Sequence, residues 1–396
     1  MNITEFNKER IPFPLSEYLA RIQRVRHMMS EGGIDLLFIT GPEGICYLHG
    51  HQANWYQGNS PREWPALSGT AVHVNYDTPI HFDIIDEQNL LQQSSVLQDI
   101  RIYPTLSIDS IAFLINELSA AGWLGGTVGL ELSNYRPNRS ISERLEYAFV
   151  AAGNRVVDGG SIMRKVRRIK SPLEIAISEQ ASRIVEKGHD ALRNNLRAGV
   201  TELELAAEVN YAMMKAGGEQ AALMLSLQSG PLSSFHGLPS RRIICPGDLV
   251  VMDPCGVVNR YHANKARAYY LGEPDAKLVS LYDAAGGAFS VLQRHVKAGT
   301  TVAEANKVLR EYYKDMGIWA LREWVGGYEL GISFPPDWVG DFVFTVDEED
   351  PEGYFRSGMV TNFESIFGTF LIDTVIYEEH QARVLAEDIP QLIVID

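Results

Sequence analysis

Three side chains in the second half of the chain combine acid–base capacity with positions next to predicted strands. His236 stands in a loop of small and apolar residues, Asp253 ends the apolar run Leu249–Asp253, and Glu364 lies in a second apolar run. Carboxylates at strand ends are costly to bury without a partner, which marks them as candidate site residues. Histidine has an unperturbed pKa of about 6.5 and can accept and donate a proton near neutrality. Each residue also has a structural interpretation, as a loop histidine or a turn carboxylate.

Polar and aromatic residues that could line a pocket accompany these three. One group lies in the strand-like segment 259–269, and another lies in the glycine- and proline-rich loop 326–338. Such a loop holds a fixed backbone and presents aromatic faces, which can contact a cationic group. The predicted substrate-contacting residues of these segments are Tyr261, His262, Asn264, Tyr328, Asp337 and Trp338.

The first half of the chain has the pattern of an α/β domain. A helical period of apolar residues follows Pro14, and the short apolar run Leu36–Ile39 predicts a buried strand. Further helices are predicted at 107–121 and 140–152, and further strands at 69–74 and 126–132. The alternation favours a mainly parallel or mixed sheet.

A strong helix start separates this half from the next. Ser171, Pro172 and Glu174 have the residue types and spacing of an N-cap, a first helical position and a capping box. We place the domain boundary just before it and predict domains 1–163 and 164–396, with the basic stretch 164–170 as a solvated linker face rather than a polyanion site. The second domain has an α+β pattern. Its predicted helices are 172–194, 202–216, 277–296 and 302–316, and its predicted strands are 242–244, 249–253, 265–271, 359–365 and 371–378.

Composition excludes several classes of function. The formal net charge is −15, which disfavours nucleic acid and anionic membrane as partners because both attract clustered Lys and Arg. Three cysteines in unrelated contexts do not form a disulfide framework, and a reducing cytoplasm is the simplest compartment. The first residues lack the pattern of a secretory signal, and no apolar run is long enough to span a membrane.

The C-terminal 230 or so residues resemble the pita-bread metallopeptidase family, which includes methionine aminopeptidase, prolidase, aminopeptidase P and creatinase. The N-terminal part is similar to the extra domain of creatinase and aminopeptidase P. The resemblance implies an N-terminal creatinase-type α/β domain followed by a C-terminal pita-bread catalytic domain. It is carried by the order of landmarks: His236, Gly247-Asp248, Asp253, the hairpin with Tyr261 and Arg267, the glycine-rich loop at Gly326, Gly358-Met359, Glu364 and Asp373-Thr374-Val375. Within this group the chain most resembles ectoine hydrolases, at 259–262, 271–274 and 327–338, and creatinase.

The peptidases of this family bind two divalent ions through two Asp, one His and two Glu. The resemblance places two of these five ligands on Asp253 and Glu364, and the other three positions are Asn264, Tyr328 and Ile372. Such a set is not expected to hold a dinuclear centre, so we expect no metal and no other cofactor. Creatinase implies metal-free hydrolysis with its essential histidine at His236 and a carboxylate at Glu364. Its second carboxylate falls near Ala266 and does not carry over, so Asp253 is its candidate replacement.

The leading hypothesis is metal-independent hydrolysis of a C–N bond in a small amidine, ureido or cyclic amino-acid-like compound. His236 would act as general base and acid, with Asp253 and Glu364 as carboxylates. The alternatives are an Xaa-Pro metallopeptidase with degenerate ligands, a non-catalytic member that binds a ligand or peptide, and a lyase on a small osmolyte-like compound. The resemblance also implies a homodimer in which the N-terminal domain of one subunit reaches the other's site. The candidates for that contact are Trp55, Tyr56 and Arg62, for which an ordinary surface loop is the competing interpretation.

Overall fold

The chain forms two compact units, Met1–Arg167 and Arg168–Asp396. The computed structural model describes residues 10–52, 67–105, 109–230, 236–348 and 351–396. The boundary predicted after residue 163 lies inside the helix Gly160–Arg168. The predicted linker face is therefore helical, because Ile162, Met163 and Val166 give this basic segment one buried side.

The first unit is an α/β domain with a mixed sheet. Within the described residues, the sheet has the order β4-β3-β2-β1-β5-β6. The pairs β1–β2 and β2–β3 are antiparallel, and the pairs β3–β4, β1–β5 and β5–β6 are parallel. The strands are β1 (Leu36–Ile39), β2 (Gly69–His73), β3 (Ile80–Asp83), β4 (Ile100–Ile102), β5 (Thr127–Leu130) and β6 (Arg155–Asp158). The helices are α1 (Leu15–Glu31), α2 (Pro42–His49), α3 (Gln88–Ser94), α4 (Ser110–Ala120), α5 (Arg139–Ala151) and α6 (Gly160–Arg168).

The second unit has one large sheet flanked by long helices. The main path of the sheet in the described chain is β12-β11-β13-β14-β10-β8-β7, with β15 paired to β14 and both β9 and β16 paired to β10. The helices are α7 (Pro172–Asn195), α8 (Glu202–Lys215), α9 (Ala276–His295) and α10 (Val302–Asp315). The strands are β7 (Ser226–Ser229), β8 (Leu249–Asp253), β9 (Cys255–Val258), β10 (Tyr261–Leu271), β11 (Trp324–Tyr328), β12 (Val343–Thr345), β13 (Val360–Ile366), β14 (Leu371–Tyr377), β15 (Ala382–Val384) and β16 (Ile393–Ile395).

One predicted strand of this unit is wrong. Residues 242–244 form no named strand, and Ile243 makes only an isolated bridge to Thr201. The backbone of this segment instead bonds to the loop before α8, where Ile244 N donates to Val200 O and Glu202 N donates to Arg242 O. An apolar run of three residues is too short to distinguish these two arrangements.

Helix α7 packs on the sheet next to the candidate site. The capping box predicted at Ser171 and Glu174 is confirmed. The helix reaches β9 closely because Gly256 has no side chain: a Cβ there would lie 2.0 Å from Ala181 O. Glu174 on α7 also accepts a hydrogen bond of 2.8 Å from the hydroxyl of Tyr261. This packing holds β9 and β10, and therefore the residues on them, in one position.

Candidate active site

Two mostly buried carboxylates of the second unit are linked through two amide side chains. Asn264 Nδ2 donates to Asp253 Oδ1 at 2.6 Å. Asn362 Nδ2 donates to Glu364 Oε1 at 2.6 Å and to Asn264 Oδ1 at 3.2 Å. The two asparagines are fully buried, whereas both carboxylates keep part of their surface accessible. A small molecule can therefore approach the carboxylates, and the amides hold them from behind.

Strand register brings these four residues together. Asn362 and Glu364 are two apart on β13 and so share a face of the sheet. In the antiparallel β10–β8 pair, Arg267 lies opposite Met252, so Ala266 is the neighbour of Asp253 across the two strands. Asn264 is two residues before Ala266 on β10 and therefore lies on the same face of the sheet as Asp253.

The environment separates the proton affinities of the two carboxyl groups. Burial raises the pKa of Asp253 to about 6, and the hydrogen bond from Asn264 partly opposes this shift. Burial and the nearby charge of Asp253 raise the pKa of Glu364 to about 8, against the hydrogen bonds from Asn362 and Tyr328. Near neutral pH, Asp253 is therefore mainly ionised and Glu364 mainly protonated. Two carboxyl groups with separated pKa values form a potential base and acid.

Aromatic side chains border the Glu364 end of this group. Trp338 Nε1 donates to Tyr328 Oη at 3.1 Å, and Tyr328 N donates to Asn362 Oδ1 at 2.8 Å. Burial keeps the pKa of Tyr328 well above its ordinary value, so its phenol stays protonated and can donate to Glu364. The two glycines before Tyr328 allow close strand packing, since a Cβ on Gly327 would lie 2.2 Å from Asn362 O.

Other residues that the sequence predicts near the site are held by the protein itself. His262 accepts a hydrogen bond at Nε2 from Ala222 N, 3.0 Å away, and donates from Nδ1 to Arg260 O at 2.9 Å. Burial and the charge of Arg260 lower the pKa of His262 to about 3, so the ring is neutral. Asp337 Oδ1 accepts from the backbone amides of Trp338 and Val339, which is a local turn. Tyr261 is bound to Glu174, as described above.

His236 is exposed, and the residue that follows it is bonded to strand β7. The carbonyl of the next residue, Gly237, accepts hydrogen bonds from Ser226 Oγ at 3.0 Å and Leu227 N at 3.3 Å. Ser226 is the register partner of Asp253 in the β7–β8 pair. The residue after His236 therefore contacts the residue that lies opposite Asp253. Trp55, Tyr56 and Arg62 lie outside the described residues.

The donor set does not fit a dinuclear metal centre. The nitrogen of the Asn264 side chain faces two acceptors, Asp253 Oδ1 and Pro254 O, so the amide is oriented with its donor group toward the carboxylate. Ile372 is the register partner of Glu364 on the same face and supplies no ligand atom. Tyr328 supplies a protonated phenol. Two carboxylates without an imidazole partner lack the nitrogen donor that zinc-class centres use.

Two members of the site were not singled out from the sequence. Asn362 links the two halves of the site, and its position two residues before Glu364 on a strand is the sequence feature that could have indicated it.

Cys255 is buried and pairs with Asn264 across β9 and β10. Burial and the neighbouring carboxylates hold the pKa of this thiol well above its ordinary value, so it is unreactive as a thiolate.

Comparison with known proteins decides the family. The model of metallopeptidase family M24 matches residues 176–386, and the creatinase/prolidase N-terminal domain model matches residues 21–169. The chain belongs to metallopeptidase family M24. This confirms the predicted resemblance and the predicted order of a creatinase-type domain and a pita-bread domain. It also confirms the prediction of an enzyme that hydrolyses C–N bonds.

Individual relatives match this chain over almost its whole length. An ectoine hydrolase of Halomonas elongata is 26% identical over 420 residues, covering 97% of this chain and 98% of the relative. An Xaa-Pro dipeptidase of Pyrococcus furiosus is 25% identical over 381 residues, covering 94% and 99%. The crystal structure of an X-Pro aminopeptidase from Thermotoga maritima superposes with a TM-score of 0.77 at 22% identity, covering 94% and 99%, and shows the same fold. Among the described residues, no helix has the length and apolarity to cross a membrane.

Proposed function

We propose that this M24 member hydrolyses a C–N bond in a small amidine, ureido or cyclic amino-acid-like compound without a metal ion. The observation that supports this is the amide-linked carboxylate pair Asp253 and Glu364. Amide groups of Asn264 and Asn362 supply the hydrogen bonds that hold the pair, and Asn264 stands where the family resemblance places a metal-binding aspartate. The similarity to an ectoine hydrolase over almost the full length of both chains supports the choice of substrate class.

The proposed chemistry uses three groups of this chain. Asp253, ionised near neutral pH, orients a water molecule, and His236 accepts a proton as that water's oxygen bonds to the substrate carbon. Glu364, protonated near neutral pH, gives its proton to the nitrogen as the C–N bond breaks. The proton on His236 then returns through solvent to Glu364, which balances the cycle. The exposed position of His236 suits this exchange.

Aromatic surface beside Glu364 suits a compact substrate with a delocalised or cationic group. Trp338 and Tyr328 are fixed to each other by their hydrogen bond, which pre-organises this wall. A cationic group is better tolerated by two carboxyl groups than by two dications, which would repel it.

The test is turnover by metal-stripped enzyme in excess chelator, over a panel of small amidines, ureido acids, ectoines and Xaa-Pro dipeptides. We expect hydrolysis of one small non-peptide compound to continue at an unchanged rate, with uptake of water. Loss of activity that only added Mn²⁺ or Zn²⁺ restores would overturn the proposal, provided that His51→Gln, a change in the N-terminal unit, shows the same dependence.

Xaa-Pro dipeptide hydrolysis is the second candidate, because a relative with that name covers 94% of this chain. This activity requires the protein to recruit ions at Asp253 and Glu364 despite the missing donors. Metal-dependent cleavage of Xaa-Pro dipeptides, lost in Glu364→Gln, would establish it.

We further propose that the enzyme acts as a homodimer in which Arg62 contacts the substrate in the partner's site. An Arg guanidinium can bind a substrate carboxylate through two parallel hydrogen bonds. Arg62→Ala should then raise KM at least several-fold, while unchanged KM and kcat would rule out this contact.

A further inference from the structure

A compact group of histidines and one aspartate lies buried in the N-terminal unit, and we call it the histidine cluster: His51, His81 and Asp83. His81 and Asp83 are two apart on β3 and share a face, and His51 follows the end of α2 by two residues. Their side chains are 1%, 0% and 3% exposed. One donor atom from each residue lies within 4.8 Å of the other two. The cluster is part of a different unit from Asp253 and Glu364.

The hydrogen bonds of His51 determine which ring nitrogen carries the proton. Ser94 Oγ donates to Leu90 O at 2.8 Å and therefore has a lone pair available for His51 Nδ1, also at 2.8 Å. A neutral His51 thus donates from Nδ1 and presents a lone pair at Nε2. That lone pair lies 4.0 Å from Asp83 Oδ2.

His51 Nε2 has no hydrogen-bond partner among the residues that the structure describes. An unpartnered buried nitrogen facing a carboxylate oxygen is unfavourable, because both atoms are acceptors and the low dielectric strengthens their repulsion. A cation held between the two atoms removes this repulsion without protonating the imidazole.

The other two members are oriented toward the same point by partners behind them. His81 Nδ1 is bonded to Thr70 Oγ1 at 2.9 Å, which leaves Nε2 directed at Asp83 Oδ2, 3.1 Å away. Asp83 Oδ1 accepts from the backbone N–H of Ile84 at 2.8 Å, and Ser68 Oγ donates to the same Oδ2 that faces the histidines, at 3.0 Å. Metal-binding histidines commonly use their second nitrogen in this way, and ligating carboxylates are commonly hydrogen-bonded.

A chain of hydrogen bonds continues behind His81 and can adjust when the ring proton moves from Nε2 to Nδ1. Thr70 Oγ1 also bonds His49 Nε2 at 3.1 Å, and His49 Nδ1 bonds Ser95 Oγ at 3.0 Å. Hydroxyl groups can reverse their donor direction, so His81 can carry its proton on Nδ1 and leave Nε2 as a ligand.

We propose that His51 Nε2, His81 Nε2 and Asp83 Oδ2 bind one divalent transition-metal ion of the zinc class. Two imidazole nitrogens and one carboxylate oxygen suit zinc, cobalt or ferrous iron and do not suit calcium or magnesium. Neighbouring ligand atoms in a tetrahedral zinc site are roughly 3.3 Å apart, so the side chains need only close inward slightly. When Nε2 of the neutral His81 ring binds the ion, the ring proton resides on Nδ1, as the chain of hydrogen bonds behind it allows.

The test is metal binding by the full-length chain after chelator treatment and dialysis. Zinc, cobalt and magnesium are titrated separately by calorimetry, and bound metal is counted by mass spectrometry after desalting. We expect one zinc or cobalt ion per chain, no retained magnesium, and a higher Tm with zinc. We also expect the visible absorption of bound cobalt to indicate nitrogen ligands.

Variants locate the site. His51→Gln and Asp83→Asn should each weaken zinc binding at least 100-fold and abolish the zinc-dependent rise in Tm. The matched control is His73→Gln, since His73 is also buried on β2 but lies outside the cluster. Glu364→Gln must retain the ion as well, which separates this site from the candidate active site. A wild type that retains no zinc or cobalt, or cluster variants that bind as the wild type does, would overturn the proposal.

Discussion

Asn264 donates a 2.6 Å hydrogen bond to Asp253, and the family resemblance places a second metal-binding aspartate at the position of Asn264. An amide donor satisfies a buried carboxylate with a neutral group, whereas a carboxylate at this position would repel it unless a cation lay between them. A second amide link of the same kind runs from Asn362 to Glu364, so each carboxylate has a neutral hydrogen-bond donor beside it.

Replacement of the Asn264 amide by a carboxylate should make this part of the site bind a metal cation more tightly. Asn264→Asp places a second carboxylate against Asp253 and removes the donor that partly lowers its pKa. We expect activity in chelator to fall at least 10-fold, with tighter binding of Mn²⁺ or Zn²⁺ than in wild type. Calorimetric titration in a His51→Gln background confines the measurement to this site. Asn264→Asp with wild-type activity in chelator would show that the amide has no part in the reaction.

The pH dependence of kcat/KM should be bell-shaped. Asp253 must lose its proton to act and has a pKa of about 6, so activity rises as the pH increases through this value. Glu364 must keep its proton and has a pKa of about 8, so activity falls above it. Because the two carboxyl groups interact, the two apparent pKa values of the profile describe the pair rather than either residue alone. A rate profile from pH 5 to 9.5 checks this, and a profile flat above pH 7 would contradict an acid role for Glu364.

The phenol of Tyr328 should affect the pH at which kcat/KM falls on the alkaline side of the profile. Its hydrogen bond favours the ionised form of Glu364 and lowers the pKa of that carboxyl group. Tyr328→Phe removes this bond, so the limb should move to higher pH by roughly one unit, which corresponds to about 1.4 kcal/mol. Tyr377→Phe is the matched control, because that buried phenol bonds Thr361 instead. An equal shift in both variants would point to a general structural effect.

Local parts of this arrangement could be predicted from the sequence. Strand β8 occupies the predicted residues Leu249–Asp253, because an apolar run between a Pro-Gly-Asp turn and Pro254 has few alternatives. The capping box at Ser171 was equally readable. The many basic residues of the amphipathic helix α6 conceal its short apolar stripe, so the sequence pattern predicts a linker there.

Contacts between distant segments could not be predicted in this way. Asn264 and Asn362 meet 98 residues apart, and this depends on the register of β10, β14 and β13 rather than on any local pattern. The histidine cluster likewise joins a helix end to a strand 30 residues later. The sequence shows the spacing of residues within each segment, but the strand register of the folded sheet determines which side chains face each other.

A buried ion pair behind the site should dominate local stability. Arg267 Nη2 bonds both oxygens of Asp373, at 2.9 and 3.0 Å, and neither side chain is exposed. Arg267→Met leaves a buried carboxylate unpaired and should cost about 3–5 kcal/mol in unfolding free energy. The double variant Arg267→Met/Asp373→Leu should recover most of this loss. Arg383→Gln, which disrupts a partly exposed pair with Glu179, should cost less than about 1 kcal/mol. Urea unfolding of the four proteins measures the differences.

Glu364 should lower the stability of the fold while serving the reaction. Its ordinary pKa of 4.5 applies to the unfolded chain, and the folded value is about 8. Below pH 4.5 both states are protonated and the group has no effect. As the pH rises from there to about 8, the unfolded chain ionises while the folded chain does not, which favours unfolding by about 1.4 kcal/mol per unit. Glu364→Gln removes this cost, so its stability relative to wild type should increase by a few kcal/mol between pH 5 and pH 8, although its activity falls at least 100-fold.

Glu208→Gln, on the exposed side of α8, should show no such pH-dependent gain. Urea unfolding of all three proteins at both pH values measures the effect, and a Glu364→Gln gain that is equal at pH 5 and pH 8 would mean that the carboxyl group is not held protonated in the folded protein.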